Sequence, residues 1–573
     1  MIQPVAGVPL VIGVTGHRDL VASEIPVLEA KVELFLTELA DQFPKMALHV
    51  ITPLAEGADR LTAKVAHKLG IALTVLLPMP KEVYQTEFDS DSKSTFEEML
   101  NYGELVELPI LNGGDPAEIS QVGTARDAQY EYLGVYLAAH SHILLALWDG
   151  KPSSAPGGTA HVVQFHQTDE VEIIAGSQHR SPIDFSEDES DLVYHIACSR
   201  QKNGAPTEGL QPGQGSWLSR DDLDPRGDSM PLRYAAVFQR HSSFNTDLNA
   251  NMASGQPDAL ADYSDEANGE QLEDVHALYQ QVDELAIRFQ TMALRSLRWM
   301  FTFVALTGVS FIVYADFSGF DFGIYLYLLF MSIGISLFLV ERRGDYYRKY
   351  LDYRVLAEGL RVQFYWALAG VPAENPSHFS HDNFMKRQDL EIGWIRNIMR
   401  YAGRRADAVQ IHATKKGLQA AINNWVGDTS RGQMEYYKRR AAERSKRTKF
   451  TNLLGSLSFA LGLLIAFFLA VGVNELINNS QNILIALMGA LPFLAAVRQS
   501  YAHRVAEREL IAQYTYMERI FGNAHRLLAR TSEDLVRRDI LRALGEAAMD
   551  ENGLWIMRQR ERPLSSGQVF HGG

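Results

Sequence analysis

The stretch Trp299–Ala315 reads WMFTFVALTGVSFIVYA, and Phe322–Val340, after a six-residue gap, reads FGIYLYLLFMSIGISLFLV. Neither run contains a charged residue, and a membrane-spanning helix needs about 20 predominantly apolar residues. Phe450–Asn474 and Leu476–Val497 form a second pair of charge-free runs. A single run of this kind is also typical of a buried core helix, but four runs in two close pairs predict four membrane spans. We therefore expect a lipid bilayer around this part of the chain.

The basic residues around these runs predict an orientation. The turns inside the two pairs, 316–321 and 475–482, contain no Lys or Arg, whereas Lys438–Lys449, ahead of the second pair, contains seven. Because basic residues stay on the cytoplasmic side, we expect both turns outside and both termini in the cytoplasm. The sequence thus predicts a multi-pass protein of the cell (inner) membrane.

The segments that flank the two pairs of runs follow one pattern. A charged helical segment precedes each pair and another follows it, which indicates two copies of a two-span unit. The segment after the first pair includes Tyr353–Tyr365 (YRVLAEGLRVQFY), and Trp425, Gln433 and Tyr436-Tyr437 stand ahead of the second. These residues resemble the SLATT family, over roughly residues 275–530. The resemblance implies a membrane-perturbing or pore-forming effector, of the kind found beside nucleotide-sensing modules in bacterial conflict systems.

The first two hundred residues show a different pattern. Short apolar runs alternate with helical stretches such as Glu24–Phe43 and Asp59–Leu69. Strands that alternate with helices predict βαβ units, and hence an α/β fold with a parallel sheet. In such sheets ligands bind beyond the carboxyl ends of the strands. The apolar runs are 8–14, 47–51, 71–77, 105–111, 142–148 and 192–197.

Polar, glycine-rich loops follow three of these runs. Glycines allow backbone N–H groups to approach a phosphate, and a helix N-terminus adds partial positive charge. Each loop alone is more often an ordinary turn or helix cap, but three loops at one sheet edge predict an anion-binding site. The candidate ligand-binding residues are Thr15, Gly16, His17 and Arg18 after the first run, Glu56, Gly57 and Asp59 after the second, and Asp149, Gly157, Gly158 and Thr159 after the fifth.

These loops resemble those of the SLOG superfamily, Rossmann-like domains that include the cytokinin-activating phosphoribohydrolases and many nucleotide sensors. The resemblance covers about residues 5–200 and implies a nucleotide or ADP-ribose-type ligand across the loops. The enzymes carry a Pro-Gly-Gly-x-Gly-Thr-x-x-Glu motif, whose Glu takes part in glycosidic-bond cleavage. This chain has PGGTAHVVQ at Pro156–Gln164, which places Val162 or Gln164 at the Glu position. Neither side chain can act as a general acid or base, so the sequence favours binding over hydrolysis.

Composition limits the remaining possibilities. The 573 residues carry a net charge of −15, which argues against a nucleic-acid partner, because that partner requires a basic face. The single cysteine, Cys198, excludes a disulfide framework and a Cys-rich metal site, and no metal or cofactor is expected to be required. Residues 201–270 are rich in Gly, Pro, Ser, Asp and Asn and predict a linker or lid. The expected organisation is a ligand-binding domain at 1–200, this linker, and a membrane module at 271–573.

These observations favour a sensor of a nucleotide-derived ligand, coupled to an oligomeric pore or channel-like membrane effector in bacterial immunity. A homo-oligomer is expected, because four spans without ionisable residues can hardly enclose a conduit alone. The alternative is a membrane-tethered phosphoribohydrolase or nucleotide glycosidase, in which Glu56 replaces the missing motif glutamate. The third possibility is a membrane scaffold with a vestigial nucleotide fold.

Overall fold

The structure, a computed structural model of the chain, divides into two compact units. The sheet unit comprises Met1–Gln281 and Gly359–Ala413, and the helical unit comprises Val282–Glu358 and Thr414–Gly573. These units do not divide the chain at residues 200 and 270, where the sequence predicted boundaries. The structure describes residues 7–111, 114–153, 156–168, 192–202, 204–219, 226–252, 269–317, 319–372, 379, 381, 392–410, 415–471 and 481–560.

An eight-stranded mixed sheet forms the centre of the sheet unit. Its strands are β1 (Leu10–Gly16), β2 (Leu48–Thr52), β3 (Ala72–Leu77), β4 (Glu104–Glu107), β5 (Ile143–Trp148), β6 (Val193–Ala197), β7 (Gly215–Leu218) and β8 (Arg226–Gly227). They lie in the order β4-β3-β2-β1-β5-β6-β7-β8. The first six along the chain pair in parallel, and β7 and β8 add to the β6 edge in antiparallel fashion. The strand order reverses direction between β1 and β5, the position where open α/β sheets bind ligands.

The central strands are buried because helices cover the sheet. All residues of β2 and β6 are buried, as are nearly all those of β1, β3 and β5. Strands covered on both faces are expected to be continuously apolar rather than alternating, which is the pattern in the sequence. The helices of this unit are α1 (Ile25–Gln42), α2 (Ala58–Leu69), α3 (Lys81–Tyr84), α4 (Ser90–Leu100), α5 (Pro116–Ile119), α6 (Thr124–Ala139), α7 (Thr159–Thr168), α8 (Leu232–Met252) and, from much later in the chain, α12 (Gly393–Gln410).

The predicted linker at 201–270 contains ordered elements of the sheet unit. Besides β7 and β8, it includes α8, whose Asn245 side chain pairs with the backbone of Val8 ahead of β1: Asn245 Oδ1 accepts from Val8 N–H at 3.0 Å, and Nδ2 donates to Val8 O at 2.9 Å. Helix α12 joins the same core, since His142 Nε2 lies 2.9 Å from the carbonyl oxygen of Asn397. Residues 220–225 and 253–268 of the predicted linker lie outside the described part of the chain.

The helical unit contains the long apolar helices predicted from the sequence. They occur in α9 (Gly269–Asp316), α10 (Gly323–Gly344), α14 (Gly432–Ala470) and α15 (Gln481–Arg504). By length and composition, four helices are able to cross a membrane, and at most 6% of the most apolar 18-residue segment of each is buried within the protein. The remaining helices are α11 (Tyr346–Ala369), α13 (Lys415–Ala421), which leads into a π-helical turn at Ile422–Val426, α16 (Glu507–Leu528) and α17 (Asp534–Arg560).

Small residues bring the apolar helices close together. A Cβ added to Gly308 on α9 would lie 2.2 Å from the Phe493 ring on α15, and one added to Gly462 on α14 would lie 2.8 Å from Pro492. Helix α15 therefore packs against both α9 and α14, as small residues permit in membrane helices. The predicted architecture, an α/β sheet followed by a helical region with four helices able to span a membrane, is confirmed.

Candidate functional site

A cavity of about 480 Å³ opens at the carboxyl edge of the sheet, beside the ends of β1 and β5. Its volume lies in the range of small-molecule binding sites. Nine of the eleven predicted ligand-binding residues line it, namely Thr15, Gly16, His17, Arg18, Asp59, Asp149, Gly157, Gly158 and Thr159. The tertiary structure therefore brings residues from three separate loops to one site, at the switch point of the strand order.

The loop after β1 fits tightly between the neighbouring elements. A Cβ on Gly16 would meet the Ala58 side chain at 2.3 Å and the Leu147 carbonyl oxygen at 2.9 Å, so only glycine fits there. The next residue, His17, is buried, and its Nε2 accepts a hydrogen bond from the backbone N–H of Asp149 at 3.1 Å. Burial lowers the pKa of His17, so the imidazole is neutral at pH 7 and can accept this bond. His17 thus joins the end of β1 to the end of β5.

Arg18 belongs to a charged network at the cavity wall. Its Nη1 donates to Glu87 Oε2 at 2.9 Å, and its guanidinium lies 5.8 Å from the centre of the Tyr130 ring. Arg126 and Tyr130 both donate to the other oxygen of Glu87. Arg18 is about half exposed and lines the cavity, and the other guanidinium donors can face a ligand while Nη1 remains paired.

The loop after β2 contributes Asp59 but neither Glu56 nor Gly57 to the described cavity wall. Glu56 accepts a hydrogen bond from the Ser92 hydroxyl of α4. Gly57 has φ +76°, and a Cβ there would lie 2.4 Å from the His17 carbonyl oxygen. Glycine at this position therefore allows the loops after β1 and β2 to pack closely. Leu54 in the same loop has φ +54°, a strained conformation for a leucine, and its carbonyl oxygen accepts from Arg60 Nε at 3.1 Å.

Asp59 is a buried carboxyl in the site. It is 4% exposed, its Oδ2 accepts from the Ala55 N–H at 3.2 Å, and its Oδ1 has no partner among the described residues. Burial raises the pKa of Asp59 to about 7, against the opposing charges of Arg18 and Arg60. A carboxyl that titrates near neutral pH and lines a cavity is typical of functional sites.

The loop after β5 presents a helix N-terminus to the cavity. Gly157 has φ +67°, and a Cβ there would lie 2.7 Å from the Tyr130 carbonyl oxygen, so the turn requires glycine. Gly158 follows, and Thr159 is the first residue of the ten-residue α7. Backbone N–H groups at such a terminus are free of intrahelical partners and favour an anion.

Several residues of the site were not among the predicted ligand-binding residues. Arg200, which follows the last parallel strand, lines the cavity, where its Nε donates to Asp19 Oδ1 at 2.9 Å. Tyr84 and Tyr130 form an aromatic wall of the cavity. The sequence did not predict them, because Tyr84 lies at the end of α3, well beyond the end of β3, and Tyr130 lies in the middle of α6. The additional polar and aromatic residues that line the cavity are Asp19, Tyr84, Tyr130, Trp148, Lys151, Ser153, Arg200 and Lys202.

The cavity wall carries charges of both signs. Arg18, Lys151, Arg200 and Lys202 supply positive charge, Asp19, Asp59 and Asp149 are acidic, and α7 supplies its N-terminus. Among the described residues, no group of three or more His, Cys, Asp or Glu side chains is placed to hold a metal ion.

The unusual pKa of Asp59 predicts a pH-dependent stability. Its folded-state pKa of about 7 lies above the ordinary value, so the contribution of this group to the free energy of unfolding falls as the pH rises from about 4 to 7. Asp59→Asn removes this penalty and is expected to stabilise the protein at pH 8, by an amount on the order of 2–4 kcal/mol, but not at pH 4. Chemical denaturation without added ligand at both pH values measures the difference.

Asp19→Asn is the matched control for this experiment. Asp19 also lines the cavity, but it accepts from Arg200 and Lys202, so its loss removes an ion pair and gives no stabilisation at pH 8. If Asp59→Asn changes the free energy of unfolding equally at pH 4 and pH 8, burial of the ionised Asp59 carboxyl does not destabilise the folded protein.

Neither a protein-family model nor a curated protein sequence matches this chain.

Proposed function

We propose that the chain is a membrane-embedded sensor, in which the sheet unit binds a phosphorylated, nucleotide-type ligand and the four apolar helices act as the effector. The observation that carries this proposal is the cavity at the switch point of the sheet, lined by a helix N-terminus and four basic side chains, in the same chain as four helices able to span a membrane. The resemblance to the SLOG and SLATT families supports the same combination of sensor and effector.

The surfaces of the apolar helices support a role in an assembly. In the most apolar 18-residue segment of each helix, at most 6% is buried within the protein. The predicted spans contain no Asp, Glu, Lys, Arg or His. Such helices are stable only in lipid or against other apolar helices. We therefore propose a homo-oligomer in the inner membrane of a bacterium, which forms a pore or channel-like path when ligand binds, as an immune effector.

The alternative is an enzyme that cleaves a nucleotide or its glycosidic bond. Glu56, which the sequence suggested as the catalytic carboxylate, accepts from Ser92 and lies outside the described cavity wall. The acidic residues that do line the cavity are Asp19, Asp59 and Asp149. Of these, Asp59 has the pKa of about 7 that general acid–base catalysis favours, so turnover must be measured together with binding.

The test of the proposed function uses the full chain in detergent and in liposomes. A panel of ribonucleotides and ADP-ribose is titrated by calorimetry, and each mixture is then analysed chromatographically for product. Stoichiometric binding without product, together with ligand-dependent ion flux from liposomes, supports the sensor. Product formation supports the enzyme instead, and absence of binding by every probe leaves the membrane scaffold.

The proposed topology can be tested by cysteine labelling, because the single native cysteine gives little background. Cys198 is buried, and burial raises the pKa of its thiol to about 12. A cysteine placed at Asp321, in the turn between α9 and α10, is expected to react with a membrane-impermeant maleimide from outside intact cells. One placed at Lys446, in the basic segment of α14, is expected to react only after permeabilisation. The reverse labelling pattern contradicts the cytoplasmic termini.

A further inference from the structure

A second cavity, of about 290 Å³, lies between two apolar helices of the helical unit. Its wall is formed by side chains between Met300 and Thr307 on α9 and between Phe330 and Phe338 on α10. All of these residues belong to the first pair of predicted spans, Trp299–Ala315 and Phe322–Val340. The cavity is therefore a groove between two helices able to span a membrane, separate from the ligand site of the sheet unit.

The described wall of the groove offers no polar group to an occupant. Thr307 is the one residue with a polar side chain among those that line it, and its hydroxyl donates to the Phe303 carbonyl oxygen at 2.7 Å. Gly334 leaves space, because a Cβ added there would lie 3.7 Å from the Phe303 Cβ, an ordinary contact distance. The occupant is therefore apolar, either a hydrocarbon chain or the side chains of another helix.

The position of the groove along the spans favours a hydrocarbon chain. Met300 is the second residue of the first span and Phe338 is the third from the end of the second, so the groove begins at the end away from the connecting turn. The eight or nine residues that it follows on each helix measure about 12–14 Å, close to the roughly 15 Å of one leaflet. A groove confined to one leaflet matches one acyl chain, whereas a spanning helix of a second copy has contacts available along both leaflets.

A cation without an ion pair stands beyond this end of the groove. Arg342 lies four residues after Phe338, about 6 Å further along α10 and on nearly the same face of the helix. Its side chain is exposed, and it forms no ion pair with any described residue. At the corresponding end of α15, by contrast, Arg498 pairs with Glu507 at 2.9 Å. The Arg342 guanidinium is therefore available to an anion at the membrane surface.

We propose that the groove binds one acyl chain of an anionic phospholipid, whose headgroup pairs with Arg342. Basic residues beside membrane spans bind such headgroups, and the cytoplasmic leaflet, where the proposed topology places this end of the spans, carries anionic lipid. This inference rests on the membrane placement in the proposed function. It adds a lipid partner for the effector helices, which does not depend on the ligand of the sheet unit.

Native mass spectrometry of the full-length protein in detergent tests the role of the charge. The protein is titrated with phosphatidylglycerol or with phosphatidylcholine of identical acyl chains, and the affinity for the first lipid bound per chain is measured. The wild type is expected to bind phosphatidylglycerol about fivefold more tightly, since one basic residue beside an anionic headgroup gives a preference of this size. Arg342→Gln is expected to lower the preference to less than twofold.

Arg343→Gln is the matched control for the charge. Arg343 is also exposed and forms no ion pair with a described residue, but it lies about 100° further round α10, away from the face that lines the groove. The variant removes the same charge from the same end of the helix. It should therefore keep the full preference for phosphatidylglycerol.

Gly334→Leu tests the groove itself, because the leucine side chain would fill the space assigned to the acyl chain. It is expected to weaken the binding of both lipids at least about fivefold, since the chain loses its packing contacts with α9 and α10. Gly455→Leu is the matched control on α14, where an added Cβ has no described atom within 4 Å. That variant should bind both lipids as the wild type does.

Equal affinity of the wild type for the two lipids overturns the inference, as does a loss of preference in Arg343→Gln as large as in Arg342→Gln. If Gly334→Leu changes the mass of the oligomer and leaves the lipid affinity unchanged, a second copy occupies the groove and the inference is wrong. Each of these results leaves ligand binding by the sheet unit untouched. Failure of the wild type to insert into liposomes of either lipid contradicts the proposed function as well.

Discussion

Replacing Gly158 by aspartate is expected to weaken the binding of inorganic phosphate and of ADP-ribose at least about 100-fold, since two or more charge-assisted hydrogen bonds are worth roughly 1.5–3 kcal/mol each. Gly158 lines the cavity immediately before Thr159, the first residue of α7. A phosphate there approaches the backbone N–H groups closely only if no side chain intervenes. An aspartate carboxylate occupies the same space with the same sign of charge as the ligand.

Arg18→Ala is the second variant of this experiment, with a smaller expected loss of about tenfold, which corresponds to one charge-assisted hydrogen bond. In the folded protein Arg18 pairs with Glu87, but Glu87 keeps Arg126 and Tyr130 as donors when Arg18 is removed. The substitution therefore leaves Glu87 paired, and the free energy of unfolding of the variant, measured without ligand, separates a loss of affinity from a loss of stability.

Gly123→Asp is the matched control, because it places the same side chain at another helix N-terminus of the sheet unit. Gly123 precedes α6, is exposed, and has no atom of the described chain within 4 Å of an added Cβ. Aspartate is a favourable residue at that cap position, so folding and phosphate affinity should both be preserved. Unchanged phosphate affinity in Gly158→Asp and Arg18→Ala would show that the sheet edge is not the binding site.

Replacing Asp352 by alanine is expected to destabilise the helical unit by about 3–5 kcal/mol, as breaking a buried ion pair does when one charge is left behind. Asp352 on α11 is 1% exposed, and it accepts from Arg560 Nη2 of α17 at 2.7 Å and from Arg348 Nη1 at 3.5 Å. Arg560 itself is only 13% exposed. Its guanidinium would lose this carboxylate while it remains largely out of water. The midpoint of thermal or denaturant unfolding in detergent measures the loss.

Asp345→Asn provides the control for Asp352, because both carboxylates accept from the same Arg348 and asparagine tolerates the φ of +51° at this position. Asp345 lies three residues before Arg348, accepts from it at 2.8 Å, and has a half-exposed side chain. An exposed pair of this kind contributes about 0–1 kcal/mol, so the control should unfold almost as the wild type does. Equal destabilisation by the two substitutions would mean that burial of Asp352 does not decide the strength of the pair.

The strands and the apolar helices could be predicted from the sequence because both patterns depend on neighbouring residues alone. Five continuous apolar runs coincide with β1, β2, β3, β5 and β6, since strands buried on both faces need no alternation. The absence of charges over about 20 residues likewise predicts a helix able to span a membrane, whatever the rest of the chain does. The antiparallel β7 and β8 were not predicted, because they are four and two residues long and lie in a polar stretch.

The loops of the candidate site could be predicted for a related reason: parallel strands end at the same edge, so polar residues after several strands converge. That argument finds Thr15, Asp59 and Thr159 equally well, but it cannot separate a residue that faces the cavity from its neighbour. Glu56 and Asp59 are three residues apart, and only Asp59 lines the described wall. The direction of a side chain at a helix start depends on how α2 packs against β1 and α4, which no local pattern contains.

The sequence by itself determined the alternation of strands and helices, the four apolar helices and the three glycine-rich loops, because each follows from local composition and spacing. Only the tertiary structure decided that α8 and α12 belong to the sheet unit, that Tyr84 and Tyr130 form a wall of the cavity, and that Asp59 Oδ1 remains without a partner in the described chain. These features depend on contacts between residues far apart in the chain. Burial and pairing of a polar atom are set by all the elements around it, and therefore appear only when the chain is folded.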